Sequence, residues 1–340
     1  MPKATITDIA ARAGLSTATV DRVLNARAGV RAANRHRVFK AAQELGYLPS
    51  EGAVVVPARP AHLEFMIPFD GNEFMHEVRL AIEAFAKTSP LVATCRVHIT
   101  GGIGPDELQR ALAELSPGTT GVGIMTTDHP RTRRAITNLT EAGIPVVTIA
   151  SDIPDTPRAA YVGVRDRIGG RAAARMMGLL CGAERCEVAV FMGSRDYHGH
   201  REREAGFHET MDSLFPHITL LDPIETGEDV ERTRSAMTTI LRNRPALRGV
   251  YCVGAGRTGV IDAVAPLGDK RPRIVAHDLT SSSRRWLHDG TVDCLIDQNS
   301  RLVGEQSVVR LLGAMAAGSA LLSFSAIEPR IILRENLPVR

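Results

Sequence analysis

The stretch T-I-T-D-I-A-A-R-A-G-L-S-T-A-T-V-D-R-V-L-N, residues 5–25, decides how the chain begins. Thr5 offers a hydroxyl cap with Asp8 three residues on, and Ile9, Ala10 and Ala13 then recur at helical spacing until Gly14. The spacing predicts one short helix. Gly14-Leu15 makes a tight turn, Ser16 caps a second helix, and Val20, Val23 and Leu24 give that helix an i, i+3, i+4 apolar stripe. After a loop over residues 25–30, a third helix is expected from about residue 32 to 45, with Val38, Ala41, Ala42 and Leu45 on one face and Gly46 at its end.

Two short helices joined by a Gly-containing turn, with a third packed behind, form a helix-turn-helix. The major groove of DNA admits one helix, so the second helix is expected to present Thr17, Ala18, Asp21 and Arg22 to base edges. Arg22 suits guanine O6 and N7, and Asp21 either accepts from cytosine N4 or orients Arg22. Arg31, Asn34, Arg35 and Arg37 suit phosphate contacts, which set register without reading sequence.

Charge agrees with that division. Residues 1–60 hold nine Lys/Arg against four acids, a net +5, while the rest of the 340-residue chain holds 32 against 34, a net −2. A basic head on a nearly neutral body suggests that the head meets a polyanion and the body does something else. With 44% hydrophobic and 23% charged residues the composition is that of a folded protein of two or three domains, which excludes disordered, collagenous and coiled-coil classes. No apolar run reaches transmembrane length and residues 1–15 lack a signal-peptide core, so a cytoplasmic protein is expected. Cys95, Cys181, Cys186, Cys252 and Cys294 are scattered, mostly in apolar runs, and read as buried thiols.

Residues 5–49, including V-R after the second helix and A-A-Q-E-L-G-Y-L-P at the end, closely resemble the headpiece of the lactose/galactose repressor (LacI/GalR) family of bacterial transcription factors. The resemblance implies a DNA-facing set of Thr5, Ser16, Thr17, Ala18, Asp21, Arg22, Asn25, Arg31, Asn34, Arg35, Tyr47 and Val56. Thr17, Ala18 and Arg22 fall on base-reading positions, Tyr47 leads to the hinge, and Val56 falls where relatives insert a Leu into the minor groove. Two departures stand out: Asp21 replaces the usual Ser, and Gly52, Val54, Val55, Val56 and Pro57 are poor helix formers where relatives have a hinge helix. The expected division is 1–49 headpiece, 50–61 hinge, and 62–340 effector-binding and dimerisation domain.

In that body, apolar runs at 63–67, 92–99, 121–125, 145–149, 160–164, 187–192, 249–253, 273–277, 292–296 and 330–333 alternate with helical stretches. The rhythm predicts an α/β body of two Rossmann-like lobes with parallel sheets, ligands lying beyond the carboxyl ends of the strands. At those positions, FDGNEFMHEV (69–78), GIPVVTIASDIPDTPRAAYVGV (143–164), GHREREAGF (199–207), RIVAHD (273–278) and CLIDQ (294–298) resemble the ribose-type sugar-binding periplasmic proteins. The resemblance implies lobe 1 at about 62–160 and 295–324, lobe 2 at about 161–290 and 325–340, and an effector site of Asn72, Phe74, Arg203, Asp278 and Gln298. Planar polar groups, paired charges and an aromatic face are also what a polyol requires on chemical grounds. Where relatives carry an acid after the fourth strand this chain has Ala150-Ser151-Asp152, so either Asp152 takes that role from a shifted place or the ligand lacks the hydroxyl.

Together these features point to a sequence-specific DNA-binding regulator, a repressor in the usual mode of the family, acting as a homodimer on a pseudo-palindromic operator under a sugar or polyol effector. Two other classes compete. Gly254, Gly256 and Gly259 follow a strand, open a helix, and have Asp278 about twenty residues on, the spacing of an NAD-dependent dehydrogenase fingerprint. A free solute-binding protein would match the body and leave residues 1–49 without purpose. His198 and His200, flanking Gly199, are read as solvated residues of a charged loop and, with His208 beyond them, not as a metal site, and no cofactor or enzymatic activity is expected.

Overall fold

The computed structural model describes residues 4–24, 30–45, 47, 60–68, 71–315 and 327–338. Thr5 closes a capping box: its hydroxyl accepts the Asp8 N–H at 3.3 Å while its own N–H donates to the Asp8 carboxylate at 2.8 Å. That fixes the start of α1 (Ile6–Ala13), and Gly14 ends it at φ 61°, a left-handed conformation that L side chains resist. Ser16 accepts the Thr19 N–H at 3.2 Å and starts α2 (Thr17–Leu24). α3 (Ala32–Glu44) packs on both, burying Ile9, Val20, Val23, Val38 and Ala42 in one small core. Arg12 pairs with Glu44 at 2.7 Å and Arg37 donates to the Gly14 carbonyl, which ties α3 to α1 and to the turn.

The first lobe is an all-parallel sheet of β1 (Ala61–Pro68), β2 (Val92–Thr100), β3 (Gly121–Ile124), β4 (Val146–Ile149) and β5 (Ala160–Val162) in the order β2-β1-β3-β4-β5. Its crossovers are α4 (Glu73–Thr88), α5 (Pro105–Ala113) and α6 (Pro130–Glu141). β3 and β4 are buried along their whole length, as strands covered on both faces must be.

The second lobe runs α7 (Asp166–Cys181), β6 (Cys186–Met192), α8 (His198–Leu214), β7 (Ile218–Leu220), β8 (Ile224–Glu225), α9 (Val230–Asn243), β9 (Leu247–Cys252), α10 (Arg257–Val264), β10 (Arg273–His277), α11 (Ser281–His288) and β11 (Cys294–Asp297). α12 (Ser300–Met315) then returns to the first lobe against α4, and β12 (Arg330–Ile332) returns to the second, antiparallel to β11. The sheet order is β12-β11-β10-β9-β6-β7, with β8 beside β6. The expectation that lobe 1 resumes at residue 295 is corrected: residues 295–297 pair with β10 and β12, because this apolar run is an interior strand of the second sheet. The chain returns to the first lobe only after Asp297.

Both sheets change direction at their first strand, β1 in one and β6 in the other, so both open a ligand crevice at the carboxyl ends of their strands. α7 and α8 lie unusually close. A Cβ at Gly170 would fall 2.0 Å from the Arg203 carbonyl oxygen, and one at Gly206 would fall 2.1 Å from that of Arg167, so only glycine permits this contact. The contact sets Arg203 of α8 beside Asp166 of α7.

Candidate functional site

Residues from both lobes enclose a narrow cavity of about 50 Å³ that includes Phe74, Ser151, Tyr197, Arg203, Asp278 and Gln298. Asn72 begins α4: its carbonyl oxygen accepts the N–H groups of Phe74 and Met75, which leaves its amide to cross the cleft and donate to Glu228 at 3.1 Å. Phe74 serves twice, packing into the first lobe's core while lining the cavity.

Arg203 is almost fully buried. Its Nε donates to Asp166 at 2.7 Å and another guanidinium nitrogen donates to the Val253 carbonyl at 3.0 Å, so its charge is matched inside the second lobe. Asp278 follows β10 at φ 70° and accepts from the Gln298 amide at 2.7 Å. Burial pushes the Asp278 carboxyl up, against the opposing pull of Arg203, Arg257 and the Gln298 hydrogen bond. Gln298 Oε1 and Tyr197 OH are buried with no partner, which is where a ligand's hydroxyls would be taken up. Ala150, Glu228 and Asp278, all non-glycine residues held at positive φ, line this cavity, and each costs on the order of 1–3 kcal/mol that the surrounding fold sustains.

Asn72, Phe74, Arg203, Asp278 and Gln298 are therefore brought together. Asp152 is not. Its carboxylate accepts from Thr148 at 2.9 Å, from the Ile153 N–H at 2.8 Å and from Arg158 at 2.6 Å, within its own loop, and the neighbouring Ser151 faces the cleft instead. The expected loop histidines are also corrected: His198 and His200 lie in the first turn of α8, and His200 is buried. Burial, with Arg203 nearby, holds the His200 imidazole down at about 3 and keeps it neutral. Among the described residues no group of three or more His, Cys, Asp or Glu could hold a metal ion.

Sequence reasoning missed Glu228, Tyr197, His200, Ser151 and Asp166, and it read Arg257 only as part of a glycine motif. Arg257 is buried, donates to Thr280 at 3.0 Å and stands 4.0 Å from Asp278. The three glycines of that motif have packing reasons. A Cβ at Gly254 would strike His200 at 2.7 Å, Gly256 turns the chain at φ 83°, and a Cβ at Gly259 would fall 2.1 Å from the Val230 carbonyl oxygen of α9.

In the head, Thr17, Ala18 and Arg22 are exposed along α2, and Asp21 is half-buried beside them. Thr5 and Ser16 act as helix caps on the same unit. Arg31 is exposed just before α3, Asn34 is half-buried in its first turn, and Tyr47 is exposed. Asn25, the hinge over residues 50–59 with Val56, and the side chain of Arg35 lie outside the described residues.

A small helix-turn-helix unit preceding a two-lobed body, with a cleft at the strand ends of both sheets, defines a two-lobed binding-protein fold joined to a helix-turn-helix head. The chain belongs to the periplasmic binding protein domain family over residues 63–320, and its residues 5–50 match the bacterial regulatory proteins of the lacI family. An uncharacterized HTH-type transcriptional regulator in the aml 5' region of Streptomyces limosus is 32% identical over 214 residues, 61% of this chain. The chain spans 57% of the length of that relative. Among solved structures, a solute-binding protein from Burkholderia graminis C4D1M in complex with D-arabinose superposes with a TM-score of 0.76 at 20% identity, covering 82% of this chain and 97% of that one. GanP, a glucose-galactose binding protein from Geobacillus stearothermophilus, gives 0.71 at 23% identity, with 82% and 99% covered. These likenesses establish the two-lobed fold.

Proposed function

We propose that the protein is a sequence-specific DNA-binding transcriptional regulator, a repressor, whose activity is set by a small sugar or polyol bound between the two lobes. The observation that carries this reading is the joining, in one chain, of an exposed α2 face bearing Thr17, Ala18 and Arg22 to a cleft where Asp278, Gln298 and Phe74 converge. Phe74 offers a ring face to sugar C–H groups, and Asp278, Gln298 and Tyr197 offer hydrogen bonds to hydroxyls. Closure on a ligand changes how the lobes sit, and a ligand that favours one arrangement shifts the population of heads able to engage DNA. Two copies acting together on adjacent half-sites in the cytoplasm complete the proposal, since one head alone reads too few base pairs. Among the described residues no helix is long and apolar enough to cross a membrane.

The test is a gel shift of the full chain on the DNA upstream of its own coding sequence, against random competitor DNA, with and without a panel of neutral sugars and polyols. Specific retention that one of these compounds relieves is the expected result. Equal affinity for random DNA would overturn the regulator reading, and retention that no compound alters would overturn the sugar-responsive part. The same panel with NAD separates the dehydrogenase reading, since the three glycines already serve helix packing and a turn.

A further inference from the structure

The narrow inner cavity is one of two adjoining spaces. A second, open chamber of about 690 Å³ lies outside it, and the two share Asn72, Glu228 and Ala255. Two of those residues hydrogen-bond to each other, so the Asn72–Glu228 contact, which links the lobes, is the partition between the spaces. The inner cavity holds little more than a few ordered waters while that bond is made. A ring seated there must part it, and parting it merges the two spaces.

The outer chamber has the lining of a carbohydrate subsite. Trp286, the one tryptophan of the chain, stands in its wall together with Ile99 and Val230, which are large apolar side chains left 43% and 42% exposed on opposite lobes. The same wall carries Thr258 and Glu73, whose carboxylate accepts from Thr280 and Ser282 of the second lobe, so apolar surface and polar groups share it. Arg257 connects the spaces: it lines the outer chamber, lies 4.0 Å from Asp278 of the inner one, and its Nε is buried without a partner. Glu73, Glu228 and Asp229 outnumber Arg257 in the outer wall, which opposes a phosphate or carboxylate on the ligand.

We propose that the effector is a neutral glycoside of at least two units, one ring seated against Phe74, Asp278 and Gln298, and the second ring or aglycone seated against Trp286, Ile99 and Val230. This rests on the sugar-responsive reading above and names its ligand class. The ligand's first ring takes up the unpartnered Gln298 and Tyr197 groups. Its glycosidic link passes between Asn72 and Glu228, whose amide and carboxylate turn from each other onto ligand hydroxyls.

The test uses titration calorimetry of the full chain with maltose, lactose, cellobiose and sucrose and with glucose, galactose and fructose, on the wild type and two chamber-filling variants. Gly101→Trp fills the chamber from the first lobe, where an added Cβ meets nothing within 4 Å, and Thr258→Trp fills it from the second. At least one disaccharide is expected to bind tenfold or more tightly than either of its component sugars, and both variants are expected to erase that preference. A monosaccharide that binds as tightly as every disaccharide containing it would overturn the proposal while leaving the sugar-responsive reading intact. A tenfold disaccharide preference that survives in whichever variants keep the wild-type melting temperature would overturn it equally. Failure of every sugar to bind would overturn the sugar-responsive reading itself.

Discussion

Removing the Asp166 carboxylate should destabilise the second lobe more than any other single change at the cleft. Arg203 and Asp166 are each only 4% exposed and lie 2.7 Å apart. At an effective dielectric of about 20, opposite charges at that separation attract by roughly 6 kcal/mol, and burial of the two ions costs a comparable several kcal/mol, so the pair is close to neutral as a whole. Loss of one member is different. Asp166→Ala leaves the guanidinium with its Val253 carbonyl bond and only the Asp278 carboxylate, with which it makes no direct pair, as counter-charge, and strips Tyr161 of the carboxylate that its hydroxyl donates to at 3.1 Å. Loss of the direct partner of a buried charge costs about 3–5 kcal/mol. Trp286 lies on α11 of this lobe and reports its unfolding by fluorescence. With a urea slope of about 2 kcal/mol per molar, the midpoint should fall by roughly 1.5–2.5 M. The double variant Asp166→Leu/Arg203→Met should be less destabilised than the sum of the single changes, because neither charge is then left alone. A midpoint shift under about 0.5 M, or a double variant worse than that sum, would refute the buried-pair reasoning. The same pair makes Arg203→Ala a poor test of ligand binding, since it would lose the ligand through unfolding.

Gln298→Ala is the cleaner probe, and should weaken effector binding in calorimetry by about 1–2 kcal/mol while operator affinity without effector stays within twofold of wild type. Arg22→Ala should abolish preference for the operator over random DNA, a loss of about 1–3 kcal/mol of discrimination, with weak salt-sensitive binding retained in a competition gel shift. Glu64 is a buried residue of β1, where burial pushes its carboxyl up but hydrogen bonds from Thr119, His98 and Ser116 outweigh it and bring the pKa down to about 2. A depressed folded-state pKa contributes stability that is present above the ordinary value of 4.5 and is lost as pH falls towards 2; after solvent screening this amounts to about 1–2 kcal/mol. Melting temperatures between pH 6 and pH 2.5 should therefore fall more for wild type than for Glu64→Gln, and parallel curves would remove Glu64 from the account.

Ten apolar runs read from the sequence all coincide with strands, and the signal is uninterrupted where an interior strand such as β3, β4 or β11 is buried along its whole length. β7 and β8 were not legible. They are three and two residues long, at the sheet's edge, where burial is partial and the signal dissolves into loop composition. The headpiece was legible down to its caps, since Thr5, Gly14 and Ser16 act locally and the chemistry of a cap is written in a few neighbouring residues. At the cleft, residues just beyond strands β1 and β10 were found, while Glu228 and Tyr197 were not. Their places depend on the two lobes meeting, and a positive φ at a glutamate leaves no mark in sequence. Asp152 failed for the opposite reason: a local partner, Arg158, six residues away claims its carboxylate first.

The glycine motif at 254–259 shows how one pattern arises from two physical demands. A dinucleotide loop needs glycines so that a pyrophosphate can approach the backbone and a helix can approach a strand. Here the approaching groups belong to the protein. His200 occupies the space over Gly254, α9 presses its Val230 carbonyl against Gly259, and Gly256 turns the chain into α10 at φ 83°. What the turn delivers is Arg257, whose guanidinium reaches Thr280 and faces Asp278. The spacing that resembles a cofactor fingerprint is thus satisfied by two helices meeting closely behind a ligand cleft, with an arginine placed at the boundary between its inner and outer spaces. A motif of this kind records a close approach. Which group makes the approach is decided by what stands in front of the glycines, and in this fold that is an imidazole and a neighbouring helix.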